Sequence, residues 1–481
     1  MKQKKYWIWI AAALVAAALV ILLVLLGRND EGSHAVTEII SAGPTPDNPY
    51  DDKGFLKDSL PADLNYKNET VRVLTWAEHK NTDWYAADLD GEILSQAKEA
   101  RKDAVEKRLG VRLELMEQAG AWNDCRSFAD ALEKGAEAGN NAYDLVCQFT
   151  PAAGVGITRG LFADLTSLEY PDLNNPWWPA KEESVAVQGK IYAAAGDLSI
   201  SATEETQCIL QNTTLAASVN IRNTEKEVTD RTWTLDRLMT LIREAKCPDN
   251  PDGSSAYRFT VGSREYLDSV LYAGGASFAV CGADGLPALS EELSSPDFAA
   301  FLKDWQSLVN APYSFLKNIG ESNGFARGTV LFHVGKISEI RNYLQGTDFT
   351  VTVLPFPLRD GNQAAYHTVS GLWTSLYSVP AQAENREMSG AVLEALGSYG
   401  YRTLLPAYRK SVFAGNRLSH SANTAMLQVL HDTLTLDYAR LQATGFRSYN
   451  AMRSIPDGAA WETLLPGVLD AWKDLPAPSA P

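Results

Sequence analysis

The sequence predicts an α/β protein of two lobes standing behind an N-terminal transmembrane helix. Three observations predict it. At 481 residues the chain is long for one core, since single cores stop growing near about 250–300 residues. Strand and helix patterns alternate from Thr70 onward, the order of a parallel sheet covered by helices. Residues 6–27, YWIWIAAALVAAALVILLVLLG, carry no charge. At about 1.5 Å per residue they reach roughly 33 Å, enough to cross a hydrocarbon core of about 30 Å.

Lys2, Lys4 and Lys5 precede that run and belong on the cytoplasmic side. The run exceeds the about 7–15 residues of a secretory h-region, and LLGRND makes a poor cleavage site. An uncleaved anchor is therefore favoured over a cleaved signal, and in either case the body lies outside the cell. Residues 28–68, with SAGPTPDNPYDDKG at their centre, are polar and rich in Pro, Asp and Gly. They read as a linker.

TVRVLTW, residues 70–76, alternates as a strand does. In DGEILSQAKEARKDAVEKRLG the apolar positions Ile93, Ala97, Ala100, Ala104, Val105 and Leu109 predict a helix with one inward stripe, closed by Gly110. VRLELME is a second strand, SFADALEKGAEAG a second helix and YDLVCQF a short buried strand. Ligands of such sheets sit at the strands' C-terminal ends, here TWAEH (75–79) and QFTPAAG (148–154). Further on, TWTLDRLMTLIREAK, SREYLDSVLYAGG and SPDFAAFLKDWQSLV read as helices. GTVLFHVG, DFTVTVLPFP and WTSLYSVP read as strands, and helices dominate from Arg386 to about Leu441. PAPSAP closes a C-terminal tail, 461–481.

Formal charge is −16, and without the three N-terminal lysines the body holds 40 basic against 59 acidic residues, or −19. That excludes nucleic acid, whose binding rests on Lys/Arg contacts to phosphate, and adhesion to an anionic membrane surface. Cysteines 125, 147, 208, 247 and 281 stand singly, without zinc spacing; buried thiols are favoured, with one bridge left open. The six histidines show no metal-ligand spacing. The P-loop and G-x-S-x-G patterns are absent, and GVGITRG lacks the dinucleotide fingerprint. No cofactor, metal or catalytic set is expected.

What the chain does carry is aromatic residues near the ends of elements, among them Trp76, Trp84, Trp177, Trp178, Trp373 and Tyr377. A sugar needs an apolar face to lie on and a few directed polar groups, and Trp76 with Glu78 offers both at one strand end.

GLFADLT, then PWW, then VQGKIYA and GDLS resemble the extracellular solute-binding proteins of bacterial ABC importers, family 1, the maltose-binding-protein type. TWTLDRL, FARGTVLFHVGKISEIRNYL and DFTVTVLPFPLRDGNQAAYHTVSG keep that family's order, so the likeness spans about residues 50–445. It implies a two-lobed periplasmic-binding-protein-like fold of type II. Lobe one would be 69–199 with 356–405, and lobe two 200–355 with 406–460. It also implies hinge closure on a ligand, expected to be a mono- or oligosaccharide, and docking of the closed monomer on the permease's transmembrane subunits at a Gram-positive-type cell surface. Family members often carry a lipid-bearing cysteine, absent here, and Gln211-Asn212 stands where an Asn-Lys pair is common.

The same resemblance points to ligand-binding residues: Trp76, Glu78, Gln148, Thr150 and Trp373 in lobe one, Asp197 at the hinge, and Gly274, Gly275, His333 and Lys336 in lobe two. Gly274-Gly275 would let backbone approach the ligand, with a helix C-cap as the rival reading. Trp177 and Trp178 would open a short helix beneath the cleft and serve as scaffold; Trp233 and Trp305 read as core. A ligand sensor for a membrane receptor and an anchored glycan-processing enzyme remain as alternatives.

Overall fold

β1 (Glu69–Trp76) buries Val71, Val73, Leu74 and Trp76, so helices must cover both of its faces. The computed structural model describes residues 48–87, 91–137, 142–179, 185–249, 257–321, 324–413, 420–447 and 449–475. The expected anchor, residues 28–47 of the expected linker and PAPSAP lie outside them. Among the described residues no helix is long and apolar enough to cross a membrane.

β1 runs parallel to β2 (Val111–Gln118) and β3 (Leu145–Phe149), and β12 (Ser375–Ser378) closes the sheet antiparallel to β3. The strand order is β12-β3-β1-β2. A second sheet has the order β10-β4-β9-β5-β8. In it β4 (Gln207–Asn212) pairs antiparallel with both β9 (Phe332–Lys336) and β10 (Val351–Leu354). β5 (Phe259–Val261) lies parallel to β9 and to β8 (Ser314–Leu316). Both sheets are thus mixed, although the three strands of the early strand-helix alternation pair in parallel as expected.

The chain runs from the first sheet to the second through 199–206 and returns through 355–374. These crossings lie side by side. Thr206 bridges Ser370, and β11 (Thr368–Val369) pairs with β13 (Leu434–Thr435). β6 (Ala279–Cys281) and β7 (Pro287–Leu289) form a separate hairpin.

α1 (Gly91–Leu109) ends where expected, with Gly110 at φ +58°. Its buried face is Leu94, Lys98, Arg101, Val105 and Leu109, while Ile93 is exposed. The apolar stripe misjudges the face because two cations point inward and find backbone carbonyls there. Lys98 Nζ donates to the carbonyls of Asn81 (2.6 Å) and Tyr85 (3.2 Å). Arg101 donates to the Asp83 carbonyl (2.7 Å) and lies 5.0 Å over the Trp84 ring.

α2 (Cys125–Glu137) follows β2, and α3 (Thr150–Thr158) begins directly at the end of β3. α4 (Leu235–Glu244) and α5 (Pro296–Val309) start on Thr234 and Ser295, whose side chains cap them.

Three further expectations are corrected. Residues 49–68 are part of the body: Leu60 is buried, and Asp58 pairs with Arg402 at 3.3 Å. The expected tail begins as α6 (Trp461–Lys473), pinned by Trp461, whose ring N–H reaches the Leu293 carbonyl at 2.7 Å. Residues 171–179 form turns, not a helix; Pro171, Pro176 and Pro179 deny it backbone donors. All five cysteines are free, and Cys125, Cys147 and Cys208 are buried.

Candidate functional site

The C-terminal ends of the parallel strands of both sheets converge on one crevice. Beyond β2 it receives Trp122, and from the segment before β12 it receives Gly371, Leu372 and Trp373. The second sheet contributes Gln207 at the start of β4 and Glu265, Tyr266 and Asp268 beyond β5. Glu205, Arg440 and Arg453 complete the lining. Counting space open to solvent the crevice measures about 330 Å³, of which only about 20 Å³ has room for the centre of a water molecule, well under the about 300–1,000 Å³ common for small-molecule sites. A larger hollow, between α5 and Trp461, faces no strand end and no charge cluster.

One wall is aromatic. Trp373 stacks on Trp76 (centroids 5.7 Å apart) and leans on Phe149 (5.3 Å), and Trp122 meets Phe149 edge-on at 5.1 Å. Trp76 itself is fully buried. Its ring N–H donates to Ser375 Oγ (3.0 Å), which donates to Asp83 Oδ2 (2.6 Å). His79 also stacks on Trp76, at 4.5 Å, with its ring 6.3 Å from Trp373, and burial pushes its imidazole pKa down. The rings are therefore backed by a fixed polar network, which holds Trp373 at a set height in the crevice.

The other wall is charged and largely self-satisfied. Buried Asp268 accepts from Arg440 (3.1 Å) and twice from Arg453 (2.9 and 2.8 Å). Arg440 also donates to the Ser370 carbonyl (3.0 Å) in the crossing strand. Tyr266 donates its hydroxyl to Glu339 (2.9 Å). Glu205 pairs with Lys336 at 2.5 Å; burial alone would push the lysine pKa down, but Glu205 outweighs it and the net shift is upward. Such a wall offers oriented donors and acceptors without an unpaired buried charge.

Solved structures share this architecture. The cyclic α-maltosyl-1,6-maltose binding protein from Arthrobacter globiformis aligns over 84% of this chain and 98% of its own, with TM-score 0.57 and 14% identity. The chain has the fold of a solute-binding protein. The galacto-N-biose/lacto-N-biose I-binding protein of the ABC transporter from Bifidobacterium longum, in complex with lacto-N-biose, aligns over 85% of this chain and 97% of its own (TM-score 0.53, 12% identity). UgpB from Mycobacterium tuberculosis, in complex with glycerophosphocholine, aligns over 83% and 97% (TM-score 0.52, 14% identity). No protein-family model and no curated protein matches the sequence.

Of the expected site residues, Trp373 lines the crevice, Trp76 lies directly behind it and Lys336 pairs with its lining residue Glu205. Glu78 stands beside it, with its carboxylate turned to the backbone N–H groups of Gly120 and Ala121. The rest point elsewhere. Gln148 is buried and donates to Ser378 Oγ (3.0 Å), and Thr150 donates to the Thr374 carbonyl (2.9 Å). His333 is fully buried, bonded to Thr260 (2.8 Å) and stacked on Phe325. Asp197 is buried against His431. Gly274 ends a short helix against Phe298 and Phe301, and Gly275 lies near Gln363 at φ +76°, the geometry of a helix C-cap.

Trp177 and Trp178 are buried too. Trp178 donates its ring N–H to Glu394 Oε2 (3.1 Å), and Trp177 packs on Gly397, so both are packing groups. Trp122, Tyr266, Arg440 and Arg453 escape the sequence reading. Trp122 alone left a signal, a tryptophan just past a strand end.

Proposed function

We propose that this chain is the extracellular substrate-binding component of an ABC importer, taking a carbohydrate in the crevice between its sheets and delivering it to the permease. The observation that carries the reading is the crevice itself: Trp373 and Trp122 form one wall, and hydrogen-bonding charged groups form the other. A pyranose presents such a pair of faces, an apolar ring face and a rim of hydroxyls. The fold shared with the Arthrobacter globiformis and Bifidobacterium longum sugar-binding proteins supports it.

In this reading 69–199 with 356–405 and 200–355 with 406–460 are lobes that close about the crossing strands, and the expected sugar contacts extend to residues now buried behind the lining. The ligand lowers the energy of the closed form by touching both lobes at once. The protein acts as a monomer without catalysis or cofactor, held at the outer face of the bacterial membrane by residues 6–27.

The test is a thermal-shift screen of the full chain in detergent against mono- and oligosaccharides, with glycerophosphocholine as the non-sugar comparison. A ligand specific to the folded form adds about 2.7 kcal/mol at a hundredfold excess over Kd, a clear rise in Tm. A rise with glycerophosphocholine and none with sugars removes the carbohydrate from the reading. Turnover of a bound glycan removes the binding-protein role.

A further inference from the structure

Trp122 is the one tryptophan of the crevice wall held in an unusual backbone conformation. Its φ is +29°, a region that bulky residues rarely enter because Cβ crowds the neighbouring carbonyl. Its side chain is 38% exposed, whereas Trp76, Trp177, Trp233 and Trp305 are fully buried. Strain of this kind persists only where the surroundings over-determine it, and the surroundings here can be named.

Glu78, one turn beyond β1, accepts from Gly120 N–H (Oε2, 3.1 Å) and from Ala121 N–H (Oε1, 3.3 Å), the two residues before Trp122. The thiol of Cys125 closes on the Gly120 carbonyl at 3.6 Å. Gly120 has no room for a side chain, since a Cβ would lie 2.7 Å from Phe128 and 3.0 Å from Trp76. Phe149 then meets the indole at its edge.

We propose that Glu78 is a positioning residue for ligand binding: its carboxylate clamps the Gly120 and Ala121 N–H groups and so holds Trp122 in the crevice before the ligand arrives. The inference rests on the carbohydrate reading above and adds a division of labour to it. Glu78 makes no ligand contact of its own, and Trp122 supplies the ring face. Holding the indole in place beforehand removes its ordering cost from the binding step. Without the clamp the loop relaxes toward an ordinary backbone conformation and carries the indole with it.

The test uses the full chain labelled with 5-fluorotryptophan. The ¹⁹F resonance missing from W122F belongs to Trp122. In ligand-free protein E78A moves or broadens that resonance, and E78Q, whose amide oxygen still accepts, leaves it near its original place. Calorimetry with maltose, maltotetraose and lacto-N-biose then gives affinities for wild type, E78A, E78Q, W122A and the double variant E78A/W122A. The expected loss is about tenfold for E78A, largely restored in E78Q, with no further loss when E78A is added to W122A.

An equal loss from E78A in the W122A background overturns the proposal, because Glu78 then touches the sugar itself. An unmoved Trp122 resonance in E78A overturns it as well. If no sugar binds the wild type, the carbohydrate reading falls and the role in binding falls with it. The ligand-free resonance still reports whether the clamp holds the ring.

Discussion

Asp197 and His431 form an ion pair shut away from solvent, with 3.2 Å between Oδ2 and Nε2. It ties the segment that enters the crossing at 199–206 to the helix His420–Asp432, which leads into β13. Asp432 lies on the other ring nitrogen at 3.0 Å, and the Arg409 guanidinium stands near.

Burial alone would lower the His431 pKa, but Asp197 and then Asp432 outweigh it and raise it to about 9. Folding therefore favours the protonated ring. The stabilisation is whole below the ordinary histidine value of about 6.5 and is lost as pH rises through about 9. Urea unfolding at stepped pH should show stability falling over that window by up to about 3 kcal/mol, at about 1.4 kcal/mol per unit. H431Q should flatten the slope, and an unchanged slope in H431Q would contradict the assignment.

Glu394 works in a lower window. Burial lifts its carboxyl to about 7 against the hydrogen bonds of Trp178 and Asn175. The protonated form is again favoured on folding, so this contribution is complete below the ordinary glutamate value of about 4.3 and fades as pH rises through about 7. E394Q should remove the pH dependence between about 5 and 7 and leave the alkaline slope intact.

The paired tryptophans are packing groups, and their variants should separate stability from binding. Trp177→Ala should cost about 3–5 kcal/mol in urea unfolding, the usual range for a buried aromatic. Trp178→Phe should lose about 1.5–3 kcal/mol through its bond to Glu394. Under the carbohydrate role proposed above, sugar affinity measured well below Tm should stay within a factor of two or so of wild type. A large loss of affinity in folded Trp178→Phe would return the ring to the site.

Arg101 tests whether a buried cation serves by charge or by bulk. Two of its guanidinium nitrogens, Nε and Nη1, have no hydrogen-bond partner, and burial pushes its pKa down. Arg101→Met, which keeps the volume over Trp84, should therefore cost less than Arg101→Ala by about 1–2 kcal/mol. Equal costs would mean that the bond to the Asp83 carbonyl carries the whole effect.

Gly154→Ala should be among the costliest single methyl additions. A Cβ there would lie 1.9 Å from the Leu441 carbonyl oxygen, a backbone atom that has no rotamer to yield. Overpacking of this kind costs about 1–3 kcal/mol and sometimes more. Thermal unfolding of the variant reads it directly.

The sequence displays its strands better than its site, for physical reasons. β1 and β2 alternate apolar with polar positions and β3 is a short apolar run, so their place in the sheet is written in local pattern. α1 shows the limit of that signal, because Lys98 and Arg101 face inward on the strength of carbonyls brought from residues 81–85. Residues 49–68 look like linker because polar side chains hide what holds them, such as the pairing of Asp58 with Arg402. The crevice is assembled from Trp122, Tyr266, Trp373, Arg440 and Arg453; no local pattern records that convergence. Glu78 was legible as a polar group at a strand end, but its partners, the N–H groups of Gly120 and Ala121, carry no side-chain signature.

The side-by-side crossings limit how this molecule can move. Thr206 is joined to Ser370, and Thr368–Val369 to Leu434–Thr435, so three spans are stitched edge to edge like the leaves of one binding. Sliding or twisting one sheet past the other would tear those stitches, whereas swinging about the line they share leaves them whole. The hinge closure proposed above is therefore expected to run as a book opens, along that spine.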